Sequence, residues 1–241
     1  MTSLPTQRPP RDWLDRLPRD RLLAEMSLWS ADLGRLAEDI RRVEPFTDLF
    51  HVDVADGHFA PAFLLFPDLV AAVRRVTAKP IHVHLMVADA ILASQVEQFA
   101  DAGADLISVH AEHQGAAAAL EMVARRGLQA GVVLQLDSPV SRAAPFIAQI
   151  AMLTLLGTRI GVKGQDLAAE AQPRLREAQV LLATERQTRR IVLAADGGIR
   201  EHTVPGLRQA GAETIVMGSL AFGAPDFERR MAWVRALPNA G

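Results

Sequence analysis

The chain contains no cysteine and no tyrosine, and its only lysines are Lys79 and Lys163. The missing thiol excludes disulfides, thiolate nucleophiles and cysteine-ligated zinc, and is in keeping with a reducing compartment. Aromatic residues make up 5% of the sequence and the formal net charge is -2. The broad basic field that nucleic-acid binding needs is therefore absent. No apolar run reaches the roughly 20 residues of a membrane-spanning helix. The opening stretch MTSLPTQRPPRDWLDRLPRD is polar and rich in Pro and Arg, without the apolar segment of a secretory signal. The expectation is a cytoplasmic protein with neither nucleic-acid nor membrane partners.

What is present is apolar mass, 49% of the residues against 22% charged, in a chain of 241. That suits one α/β barrel domain of roughly 250 residues. Short apolar runs at Leu22–Leu28, Leu49–Val54, Ile81–Leu85, Leu106–His110, Ala130–Leu134, Ile150–Leu155, Ile191–Ala195 and Thr214–Met217 read as strands. Amphipathic stretches such as ADLGRLAEDIRRVE, ILASQVEQFADAG and EHTVPGLRQAG lie between them. Gly103, Gly127 and Gly211 stand where helix C-terminal caps belong. Strands alternating with helices imply parallel pairing. A doubly wound sheet competes, but the even spacing favours a closed (β/α)8 TIM barrel over residues 21–235, with residues 1–20 as an N-terminal extension. That extension, with a short helix at DWLDRL, packs outside the main domain, at an interface or over a barrel end. Arg41-Arg42 and Arg189-Arg190 read as solvated faces. The tryptophans Trp13, Trp29 and Trp233 read as packing residues, and His58 and His113 as surface or loop residues.

In such a barrel, chemistry sits at the C-terminal ends of the strands. His51 and Asp53 project to one side of the second strand, because alternate residues share a face. His82 and His84 alternate likewise on the third, and Asp196 ends the seventh. Two imidazoles and two carboxylates at three strand ends suit a divalent ion, although each histidine taken alone also reads as a satisfied core residue. Glycine-rich turns follow the last strands. Gly161-Val162-Lys163-Gly164-Gln165 comes first, then Gly197-Gly198, then Gly218-Ser219. Their backbone amides can approach a phosphate closely, and Lys163 adds a charge.

The segment HVDVADGHFAP (51–61) resembles a signature of the ribulose-phosphate 3-epimerase family, which includes relatives acting on allulose 6-phosphate. HLM (84–86), GADLISVHAE (103–112), AGVVL (130–134), DGG (196–198) and GS (218–219) support the likeness in order. The resemblance implies a TIM barrel in which His51, Asp53, His84 and Asp196 hold one divalent metal, Zn first, with Mn, Fe and Co also admitted. Asp53 and Asp196 would be the acid/base pair. Ser27 and Met86 would contact substrate, and Gly161, Gly197, Gly198, Gly218 and Ser219 would form the phosphate loops. The implied reaction is 3-epimerisation of a ketose phosphate through a cis-enediolate, in a homo-oligomer. D-ribulose 5-phosphate/D-xylulose 5-phosphate or a relative such as allulose 6-phosphate would be the substrate.

Several residues depart from the family pattern. Ala55 and Leu156 stand where methionines are expected, Ala62 where Asn is usual, and His82 where Asp is frequent. Arg159 to Gln165 replaces a more glycine-rich loop. These departures keep a non-catalytic sugar-phosphate-binding barrel as a rival reading. A Schiff-base aldolase is disfavoured, since Lys79 precedes a strand and Lys163 lies in a loop. His110 and Glu112 close the fourth strand in a supporting role, and Asp32 reads as a helix cap.

Overall fold

The computed structural model describes residues 8–238. The expected extension thus falls partly outside the described residues, at 1–7. Parallel strands β1 (Leu23–Ser27), β2 (Leu49–Ala55), β3 (Ile81–Met86), β4 (Leu106–His110), β5 (Gln129–Leu134), β6 (Met152–Leu156), β7 (Val192–Asp196) and β8 (Thr214–Met217) pair in sequence order and close on themselves through β1 and β8. Closure removes the edges that the competing doubly wound sheet would leave.

The bounds of β4 and β8 match the sequence reading, and those of the other strands differ by one or two residues. Leu28 leaves β1 because it opens a 3-10 turn (Leu28–Ser30). Ile150 precedes β6 because it ends a 3-10 run (Val140–Gln149) that takes the place of a crossover helix. Pro145 lies inside that run, where its missing amide and ring would break an α-helix. The other crossovers carry α-helices. Gly103, Gly127 and Gly211 all adopt positive φ after their helices, as caps should.

Alternation along each strand divides the interior. Val52, Val54, Val83, Leu85, Ile107 and Val109 face the helices in the main core. The inward positions form layers. Leu23, Leu49, Leu106, Met152, Val192 and Ala194 make an apolar floor. Above them lie Glu25, His51, His82, Ser108, Thr154 and Thr214, all buried. The floor is sealed from outside by α1 (Trp13–Arg16), whose Trp13 and Leu14 join the floor cluster together with Leu17. The N-terminal segment therefore covers a barrel end.

Arg190 locks it there by donating to the carbonyls of Leu17 (2.6 Å) and Pro18 (3.1 Å). Arg189 donates to Ile150 O at 2.7 Å. The Arg189-Arg190 pair is thus not a solvated face. Both guanidiniums satisfy backbone carbonyls at the base of the barrel, which a charge pattern alone does not reveal. Arg41 and Arg42 are exposed, as expected.

Candidate active site

Strand alternation brings the expected ligands together at the mouth. His51 and Asp53 point inward from β2, and Asp53 is in register with His84 of β3. Asp196 ends β7. One side-chain ligand atom from each of His51, Asp53, His84 and Asp196 lies within 4.8 Å of every other. His51 Nε2 is 3.1 Å from Asp53 Oδ1. His84 Nδ1 lies 3.5 Å from Asp53 Oδ1 and 3.7 Å from Asp196 Oδ2.

The hydrogen-bond network fixes which ring nitrogens face this space. His110, on β4, is fully buried and kept neutral; burial pushes its pKa down to about 3 despite Glu112 at 3.2 Å. Its Nδ1–H donates to Glu112, so its Nε2 accepts at 2.8 Å from His84 Nε2–H. His84 Nδ1 is then left with a lone pair. That atom is buried and has no hydrogen-bond partner among the described residues. It is aimed between two carboxylates, which is what a metal ligand requires and what a satisfied core histidine would not show.

The two carboxylates are unequal. Burial opposes ionisation of Asp53, but the charge and hydrogen bond of His51, with the nearby His84 imidazole, hold it well below the usual range. Ser27 Oγ also donates to Asp53 Oδ2 at 2.8 Å. Asp196 lacks such donors; burial first, then the neighbouring charge of Asp53, push it up to about 6. Burial disfavours the charged form of His51, yet the charges of Asp53 and Glu25 hold it well above its ordinary value. A cation between His51 Nε2 and Asp53 can take the place of that proton.

The mouth opens into a cavity of about 340 Å³. Its walls include Ser27, Met86, Gly161, Lys163, Gly164, Gly197, Gly198, Gly218 and Ser219, every one singled out from the sequence. His51 lies just beneath and is fully buried. Gly197 and Gly198 have φ of 87° and 69°, and a Cβ on either would strike the β6 loop at Thr158 or Leu167. Only glycine allows the loops after β6 and β7 to pack this closely. Leu156 and Arg159 also line the cavity, whereas Ala55 packs beside Met86 and Ala60.

Some readings change. Trp29 lines the cavity, and Lys163 Nζ sits 4.6 Å above its ring while donating to its carbonyl at 2.6 Å. Trp29 is therefore a platform in the site wall and not packing alone. His113 is buried: Nδ1 accepts from the His110 amide and Nε2 lies 2.7 Å from Val87 O, bridging backbone groups after β3 and β4. His58 is exposed, and Asp32 accepts from the Gly34 amide as a cap. Glu25, buried beneath the ligands, and Arg200, which lines the cavity, went unnoticed in the sequence. The only signal for Glu25 was a charge interrupting the apolar run Leu22–Leu28.

Barrel and site together define a TIM-barrel enzyme, and the comparisons with known proteins agree. The ribulose-phosphate 3-epimerase family model matches residues 23–222. The chain is 33% identical over 215 residues to ribulose-phosphate 3-epimerase of Bacillus subtilis, covering 87% of this chain and 96% of that one. It is 34% identical over 213 residues to the Synechocystis enzyme of the same name, covering 87% and 91%. A solved 3-hexulose-6-phosphate synthase shares the fold alone, with a TM-score of 0.65 at 18% identity over 90% of this chain and all of that one. The chain belongs to the ribulose-phosphate 3-epimerase family, and it is an epimerase, within the isomerases.

Proposed function

We propose that the protein is a divalent-metal-dependent 3-epimerase of a ketose phosphate, held as a homo-oligomer in the cytoplasm. The observation that carries this reading is the unpartnered Nδ1 of His84, aimed between Asp53 and Asp196. His51, Asp53, His84 and Asp196 would hold the ion. When bound, it supplies Lewis-acid polarisation of the C2 carbonyl, so that the C3 proton becomes acidic.

The chain's own groups do the rest. Asp53, ionised, removes the C3 proton from one face, and the electron pair left on C3 delocalises into the C2 carbonyl as a cis-enediolate. Asp196, protonated, delivers its proton to C3 on the opposite face, which inverts the centre. The roles exchange in the reverse direction. Ser27 holds the Asp53 carboxylate, and Met86 forms apolar wall beside the planar intermediate. The backbone amides of Gly161, Gly164, Gly197, Gly198, Gly218 and Ser219, with Lys163, would take the phosphate.

The test is turnover of D-ribulose 5-phosphate, D-xylulose 5-phosphate and allulose 6-phosphate, followed by proton NMR. Chelator-treated protein should be inactive and should recover with Zn, Mn, Fe or Co. Ligand-induced thermal shifts without epimer formation under any metal would instead support a binding protein.

A further inference from the structure

Below the ligand set lies a buried carboxylate that the proton transfer does not use. Glu25, on β1, is wholly inaccessible to solvent. Its Oε1 accepts from His51 Nδ1 at 2.7 Å and from His82 Nδ1 at 2.5 Å. Its other oxygen lies 3.4 Å from Thr214 Oγ1, and His82 Nε2 is 2.6 Å from Ser108 Oγ. Burying a carboxylate costs several kcal/mol unless its partners are well placed. The apolar floor beneath gives it none, so its partners lie beside and above it.

We propose that Glu25 is a positioning residue for the metal site, holding His51, with His82 and Ser108 as its brace, so that Nε2 is presented to the ion. The inference rests on the metal-dependent reading above. With Nδ1–H committed to Glu25, the His51 ring can turn only by breaking that bond, and Nε2 stays beside Asp53. His82 stands edge-on to His51, with ring centroids 4.8 Å apart. It prevents Glu25 from swinging away by sharing the same oxygen. Glu25, His51 and His82 also lie close enough to hold an ion themselves. Each ring is already satisfied there, however: His82 donates to Glu25 through one nitrogen and pairs with Ser108 through the other. A carboxylate behind a ligating imidazole fixes its tautomer and strengthens it as a donor. In the family pattern position 82 is often Asp; in this chain the carboxylate rises instead from the neighbouring strand.

The test compares wild type with Glu25→Gln, Glu25→Ala and the double variant Glu25→Ala/His82→Asp. Zn2+ affinity is measured by competition with a chromophoric chelator. Glu25→Gln, equal in size but uncharged, should bind Zn2+ about 10–100-fold more weakly. The double variant should recover most of the loss, because position 82 is the register partner of His51. In metal-free, 15N-histidine-labelled protein, the low-field Nδ1–H resonance of His51 should vanish in Glu25→Ala. If Glu25→Ala does not fold, Glu25→Gln decides, its resonance moving upfield. Folded Glu25→Gln with Zn2+ affinity within about twofold of wild type, or an unshifted resonance, overturns the role of Glu25. A wild type that takes up no divalent ion overturns the metal reading as well, so the two failures are distinguishable.

Discussion

Both ends of the barrel set carboxylates against basic side chains, with opposite results. At the floor, Asp48, Asp105 and Glu213 each accept from a strand amide, those of Ala24, Ile81 and Leu193. Each also faces an arginine: Arg21, Arg74 and Arg186 respectively. At the mouth, Asp53 and Asp196 face His51 and His84. Arginine keeps its proton at every accessible pH, so the floor pairs are fixed charges that staple neighbouring strands. Histidine can give up its proton or offer a lone pair, so the mouth can exchange protons and hold an ion. The same residue class is structural or chemical according to the basic side chain beside it.

Substitutions can break that contrast. The largest effect on turnover belongs to the mouth. Asp196→Asn should cut kcat by about 10²–10⁴-fold, the usual loss for a positioned acid/base. It should leave the thermal midpoint of metal-free protein unlowered, because it removes a carboxylate repelled by Asp53. At the floor the order reverses. Asp105→Ala removes the carboxylate that faces the buried Arg74 guanidinium and caps the Ile81 amide, leaving Arg74 only its neutral carbonyl partners such as Gly103 O. It should cost about 3–5 kcal/mol in denaturant unfolding while kcat per folded molecule is unchanged.

The pH response should separate the ends further. In metal-free protein Asp196 is pushed up to about 6, so an entering ion competes with its proton; in turnover the carboxyl takes up again the proton that it delivers to C3. Metal affinity should therefore fall, by about tenfold per pH unit for that proton, as pH drops below this value. Calorimetry in buffers of different ionisation enthalpy would detect the released protons. In metal-free protein the sign for stability is opposite. A raised carboxyl stabilises the fold at low pH, and this contribution is lost as pH rises through about 6. The smallest effect is at the rim. Lys163→Met removes a cation from the phosphate loops, and should raise KM about fivefold with kcat within about twofold.

Much of the mouth was legible because strand alternation is a local rule. His51 and Asp53, or His84 and Met86, share a face whatever the rest of the chain does. The glycine loops were legible for a similar reason, since a positive φ such as that of Gly197 is written in the residue itself. What escaped depends on partners distant in sequence. Glu25 matters through His51 and His82, and Arg190 through carbonyls at Leu17 and Pro18. His113 resembles any loop histidine until β3 and β4 bring Val87 O to its ring. The Val140–Gln149 segment is apolar and periodic enough to suit a helix, but Pro145 turns it to 3-10 geometry.

3-Epimerisation at this mouth requires proton exchange at C3. Metal-loaded protein is mixed with a ketose phosphate in D2O, and the C3 position is followed by proton NMR. Wild type should wash deuterium into C3 as the epimer forms, and Asp53→Asn and Asp196→Asn should each slow epimer formation by about 10²–10⁴-fold. Bound ketose phosphate whose C3 proton never exchanges in metal-loaded wild type, across the panel, would contradict it.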